Sequence, residues 1–104
     1  MKILFDQGTP APLKRELSEH TVATAFEKGW ATLTNGDLLA KAEGEFDVLI
    51  TTDQNLQYQQ NLAGRHIAIL VLPTTSWPKI QSHKIEIAAA VDQMKPGDYL
   101  ALAW

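Results

Sequence analysis

Asp6 follows the apolar run Ile3-Leu4-Phe5, and Asp53 follows Val48-Leu49-Ile50 after two threonines. An apolar run without alternation suits a strand buried on both faces. In open α/β sheets, ligands and metals collect at the carboxyl ends of the strands. Two such strands that end on the same edge would bring their carboxylates together. Asp37, in the first turn of a helix read from Asn35 to about Glu43, would add a third. Hard cations such as magnesium take oxygen ligands and keep several waters, so three carboxylates are a sufficient protein contribution. Such a site orients a phosphodiester, lowers the pKa of a bound water and stabilises the leaving oxygen. Without the metal, crowded carboxylates repel one another and hold one proton more tightly. The bland alternative is that Asp after a strand caps the next helix, and that Asp in a first turn answers the helix dipole. On the residues alone both readings stay open.

Other chemistry is thinly represented. His20, His66 and His83 are scattered without ligand spacing and read as surface or packing residues. No Ser–His–Asp arrangement can be argued, and Gly8 and Gly36 are isolated rather than part of a phosphate-cradling loop. The chain has no cysteine, which excludes disulfides and thiolate metal sites. Lys14, Arg15, Arg65, Lys79 and Lys84 are the candidates for phosphate contacts, although charges of this kind are more often simply solvated. Trp77, beside Pro78, is placed either to stack on a base or to plug the core. The stretch from Gln54 to Leu62 holds four glutamines and two asparagines and reads as a polar helix, with RNA or a partner as the sharper use of its amides.

The elements that must position these residues alternate along the chain. Strand one is Ile3-Leu4-Phe5, and Pro10 and Pro12 suit the first turn of a helix that carries Leu13 and Leu17 on one face. Thr21-Val22-Ala23-Thr24 reads as a second strand and Ala25 to Gly29 as a short helix with a left-handed cap at Gly29. Trp30 to Thr34 reads as an extended connection. Asn35 then looks like the N-cap of the next helix, which Gly44 closes. After Val48–Ile50 come the polar helix and a strong strand from Ile67 to Leu72. Ile80, Ile87, Val91 and Met94 mark one face of a long helix, and Lys95-Pro96-Gly97 breaks it before a last strand from Asp98 to Trp104. This order predicts an α/β domain with a mostly parallel sheet of about five strands and helices on both faces.

The chain of 104 residues fits one domain. Its formal charge of −3, from 12 acidic and 9 basic residues, is not that of a protein that grips nucleic acid through phosphates alone. Met1-Lys2 and three apolar residues are too short for a signal-peptide core, and no apolar run nears the ~20 residues of a membrane span. A cytoplasmic protein without membrane contact is the expectation.

Three segments carry a family resemblance: Met1-Lys2-Ile3-Leu4-Phe5-Asp6, Asn35-Gly36-Asp37-Leu38-Leu39 and Val48-Leu49-Ile50-Thr51-Thr52-Asp53. Together, and in this order, the chain resembles the short bacterial PIN-like domains related to the PIN-domain (VapC-type) ribonuclease toxins. The likeness spans nearly the whole chain, and Thr-x-Asp after an apolar strand is its most telling motif. It implies a PIN-like three-layer sandwich, RNA cleavage with magnesium or manganese, an antitoxin partner and a homodimer. By position, Asp6 and Asp53 match the first-strand and Thr-x-Asp carboxylates, and Asp37 matches the acidic position of the middle helix. Asn35 stands where relatives carry a neighbouring acid, and Asn55 and Gln57 stand where a further carboxylate often follows Thr-x-Asp. An uncharged amide binds a divalent cation more weakly than a carboxylate. That departure supports a second expectation, a PIN-like module that binds RNA or a protein without cutting. A phosphoacceptor receiver is rejected, because Phe5 and Gln7 leave Asp6 without an acidic neighbour and Lys95-Pro96 precedes the last strand.

Overall fold

The computed structural model describes residues 1–56 and 64–104. Among the described residues, five strands form one sheet: β1 (Lys2–Phe5), β2 (Thr21–Thr24), β3 (Val48–Thr51), β4 (Ala68–Val71) and β5 (Tyr99–Ala101), in the order β2-β1-β3-β4-β5. Every pairing is parallel, so the sheet is wholly rather than mostly so. A 3-10 helix (Ala11–Leu17) follows β1, and α1 (Asn35–Glu43) precedes β3. Two further helices, α2 (Trp77–Ser82) and α3 (Lys84–Gln93), lie between β4 and β5.

The period-two alternation of each strand separates two cores. Ile3, Phe5, Val48, Ile50, Ala68 and Leu70 face one way, against Leu13 and Leu17 of the 3-10 helix and Ile80, Ile87 and Val91 of α2 and α3. Leu4, Leu49, Ile69 and Val71 face the other way, against Leu38, Leu39 and Ala42 of α1. Burial on both faces is why the central strands read as continuous apolar runs. The result is a three-layer α/β sandwich, consistent with a PIN-like one.

The connections place a reversal of strand order at one edge of the candidate site. From β1 the chain moves to β2 on one side, then returns past β1 to β3 on the other, so the sheet reverses direction between β1 and β3. Crevices at such reversals, outside the carboxyl ends of the strands, are the usual binding positions of doubly wound sheets. The crossovers β2-α1-β3 and β4-α2-α3-β5 run in the same direction along the sheet but over opposite faces. Their hands are therefore opposite, and one departs from the right-handed rule that nearly all such units obey. As a consequence α2 and α3 share a face with the 3-10 helix.

Several local expectations are corrected. Ala25–Gly29 is a series of turns rather than a helix, although Gly29 does take a left-handed φ of 76°. Trp30 to Thr34 holds turns as well, rather than an extended run. The segment after Pro10 winds as a 3-10 helix of 7 residues, longer than the roughly 3–4 residues usual for that form. The single long helix breaks at His83, whose φ of −111° and ψ of 17° leave the helical region. Gly44 closes α1 as expected, as its C-cap with φ −80°. The last strand covers only Tyr99–Ala101 of the expected 98–104. Of the polar helix expected over 54–62, residues 57–62 lie outside the described part, including Gln57.

Candidate functional site

Register brings the first carboxylate to its neighbour. Phe5 pairs with Ile50, so the next residues, Asp6 and Thr51, lie side by side at the carboxyl ends of β1 and β3. The Asp6 N–H donates to the Ile50 carbonyl at 3.0 Å, extending the ladder by one bond. Thr51 is fully buried, and a buried hydroxyl is costly unless paired. It donates to Asp6 Oδ2 at 2.5 Å and accepts from the Asp53 N–H at 3.1 Å. One hydroxyl thus joins the carboxylate of Asp6 to the backbone of Asp53.

Asp53 is held from two further directions. Its Oδ1 accepts the Asn55 N–H at 2.9 Å, a local turn of the kind Asp favours. Its Oδ2 accepts Asn35 Nδ2 at 2.7 Å. That bond explains a corrected cap: Thr34, not Asn35, is the N-cap of α1, with its Oγ1 accepting the Asp37 N–H at 3.3 Å. Asn35 is the first helical residue, and its amide is spent on Asp53. The loop after β1 is clamped to the same edge, because Thr9 Oγ1 donates to the Ile50 carbonyl at 2.9 Å. Gly8 lies so close to Thr52 that a Cβ there would meet Thr52 Oγ1 at 2.2 Å.

Asp37 is exposed in the first turn of α1, where a negative charge is favoured by the open N–H groups. The structure brings Asp6 and Asp53 into one bonded web and leaves Asp37 two residues along the helix from Asn35. Among the described residues, no three His, Asp or Glu side chains form a group able to hold a metal ion. The donor chemistry of the pair still suits a hard cation. Ionised carboxylates each offer about four lone-pair positions, of which Asp6 gives one and Asp53 two to described side-chain and turn partners. Two carboxylates completed by water are within what magnesium accepts.

Asp6 also borders a groove of about 630 Å³. Phe26 and Trp77 line it together with Pro10, Lys14 and Glu27. Trp77 also packs against the core, as one of its two expected roles requires. Lys14 is bound to Glu27 at 2.6 Å. That ammonium, helped by the Thr24 N–H, holds the Glu27 carboxyl below its ordinary pKa of 4.5. Of the other candidate phosphate contacts, Arg65 pairs with Glu43 at 3.1 Å and Lys84 with Glu16 at 3.8 Å. The histidines also have partners or local roles. His20 bonds the amino terminus and Asp92, the His66 N–H donates to Glu43, and His83 stacks on Trp104.

Sequence reasoning missed Phe26, which no periodicity marks, and the bridging role of Thr51. The signal for Thr51 was present: it ends an apolar strand, and a hydroxyl buried there must find a partner. Comparison with protein-family models, curated proteins and solved structures gave no match.

Proposed function

We propose that this chain is a PIN-like, metal-dependent ribonuclease, with RNA as substrate and magnesium or manganese as cofactor. The observation that carries the reading is the pair of carboxylates, Asp6 and Asp53, joined through Thr51 at the point where the sheet reverses direction. In this reading Asp6 and Asp53 hold the cation, while Asp37, which forms no metal-holding group with them, adds negative charge at the start of α1. The cation would supply an activated water and charge neutralisation at the phosphodiester. The chain's own part is orientation: the Thr51 hydroxyl fixes one carboxylate, and Asn35 and the Asn55 N–H fix the other. The toxin role, with a cytoplasmic antitoxin partner and a homodimer, belongs to the same reading.

Asp53→Asn tests it. The variant should keep its circular dichroism spectrum and lose magnesium-dependent RNA cleavage by at least the ~10–100-fold typical of lost outer-sphere partners. Equal cleavage by both chains would remove the proposal. One observation favours a second reading, a binding module without cleavage: Asn35 donates to an Asp53 oxygen that a cation would otherwise take. Tight RNA binding by the wild type without any cleavage in magnesium or manganese would favour that module.

A further inference from the structure

Phe26 is 81% exposed, yet it does not sit on a loose loop. The Thr24 N–H donates to Glu27 Oε1 at 2.9 Å, and the Glu27 N–H donates back to Thr24 Oγ1 at 3.0 Å. The Ala25 N–H reaches the Phe5 carbonyl at 2.8 Å, and the Trp30 N–H closes on the Ala25 carbonyl at 2.8 Å. A turn tied this firmly presents an aromatic ring to the groove that Trp77 also lines and that Asp6 borders. A single exposed apolar ring is ordinary on its own; what sets Phe26 apart is that it lines the same groove as a second aromatic, Trp77.

The groove's charges indicate what fits. Its charged lining residues are Asp6, Glu27 and Lys14, and Lys14 is committed to Glu27. Without a bound cation the formal sum is −1, so the metal-free groove disfavours a phosphate. An uncharged planar ring whose edge bears N–H donors is the complement, with π-faces for the aromatics and donors for the Asp6 carboxylate. A volume of about 630 Å³ is ample for one such ring and its sugar.

We propose that this groove takes one unpaired base of single-stranded RNA, stacked on Phe26 and Trp77, while the phosphates run outside it. The proposal rests on the RNA-directed reading of the Asp6 edge but not on cleavage. Base stacking on aromatics tolerates sequence, so the groove selects unpaired over paired RNA rather than one sequence.

The test is anisotropy of a fluorescently labelled, single-stranded RNA homopolymer titrated with the chain in a metal chelator, which removes hydrolysis from the readout. Phe26→Ala should weaken binding roughly tenfold, Phe26→Trp should restore it, and a duplex should bind more weakly than the single strand. Phe26 is exposed, so the fold should survive, as circular dichroism will check. Equal binding by wild type and Phe26→Ala would overturn the proposal. So would failure of the wild type to bind RNA, which would leave the groove to a protein partner. Asp53→Asn separates the two claims: if it binds RNA with the same Phe26 dependence but does not cleave, the groove assignment stands. If Phe26→Ala binds normally while cleavage proceeds, only the groove assignment falls.

Discussion

Thr51 gives its one proton to Asp6 and receives the Asp53 N–H, so both halves of the carboxylate pair depend on a single hydroxyl. Thr51→Val keeps the shape of the side chain and removes both bonds in a fully buried position. It should cost about 1–3 kcal/mol, because the Asp53 N–H loses its acceptor. Urea denaturation will read that cost, and a midpoint equal to wild type would show that the bridge is not formed. The two aspartates were legible in the sequence because each follows an apolar strand. Their coupling was not, since it depends on the register Phe5↔Ile50, which the strands' composition does not specify. Phe26 was invisible for a different reason: its role comes from a turn held by reciprocal Thr24 and Glu27 bonds, where a short helix was expected.

At the scale of elements, burial decides what each helix contributes. Ile85 and Ile87 lie two residues apart in α3, yet Ile85 is 80% exposed and Ile87 is fully buried under the sheet. Ile87→Ala should lose about 2–5 kcal/mol, whereas Ile85→Ala should stay within about 0.5 kcal/mol of wild type. Thermal or urea unfolding of the two variants side by side checks the facing of the helix. Similar losses would mean that the helix is rotated. The stripe of Ile80, Ile87 and Val91 is legible in the residue spacing alone and marks the buried face correctly. It does not reveal the break at His83, because each short helix buries one isoleucine on the same side, Ile80 and Ile87, and that pattern continues across the break. The Asn35 cap was misplaced by one residue because threonine and asparagine are both good N-caps. The tertiary bond from Asn35 to Asp53 accompanies a start at Thr34.

For the whole molecule, strand alternation in the sequence was enough to indicate a parallel α/β sandwich, but not the order of strands or the hand of their crossovers. Those two features make the site. The order β2-β1-β3-β4-β5 puts the reversal between β1, which Asp6 follows, and β3, which ends at Thr51. The opposite hand of the last crossover brings Trp77 to the face of the 3-10 helix, where it meets the groove beside Asp6. Among the described residues no helix is long and apolar enough to cross a membrane. Charge works at this scale too: a formal net charge of −3 does not favour nucleic acid through the molecule's overall field, so the proposed RNA contacts would have to be local.

The central claim is that Asp6 and Asp53 together hold a divalent ion at that reversal. Calorimetric titration of manganese into wild type, Asp6→Asn and Asp53→Asn tests it most directly. Saturable binding by the wild type, weakened at least about tenfold in each variant, is the predicted result. Identical titrations for all three folded chains, or no heat from the wild type, would contradict it.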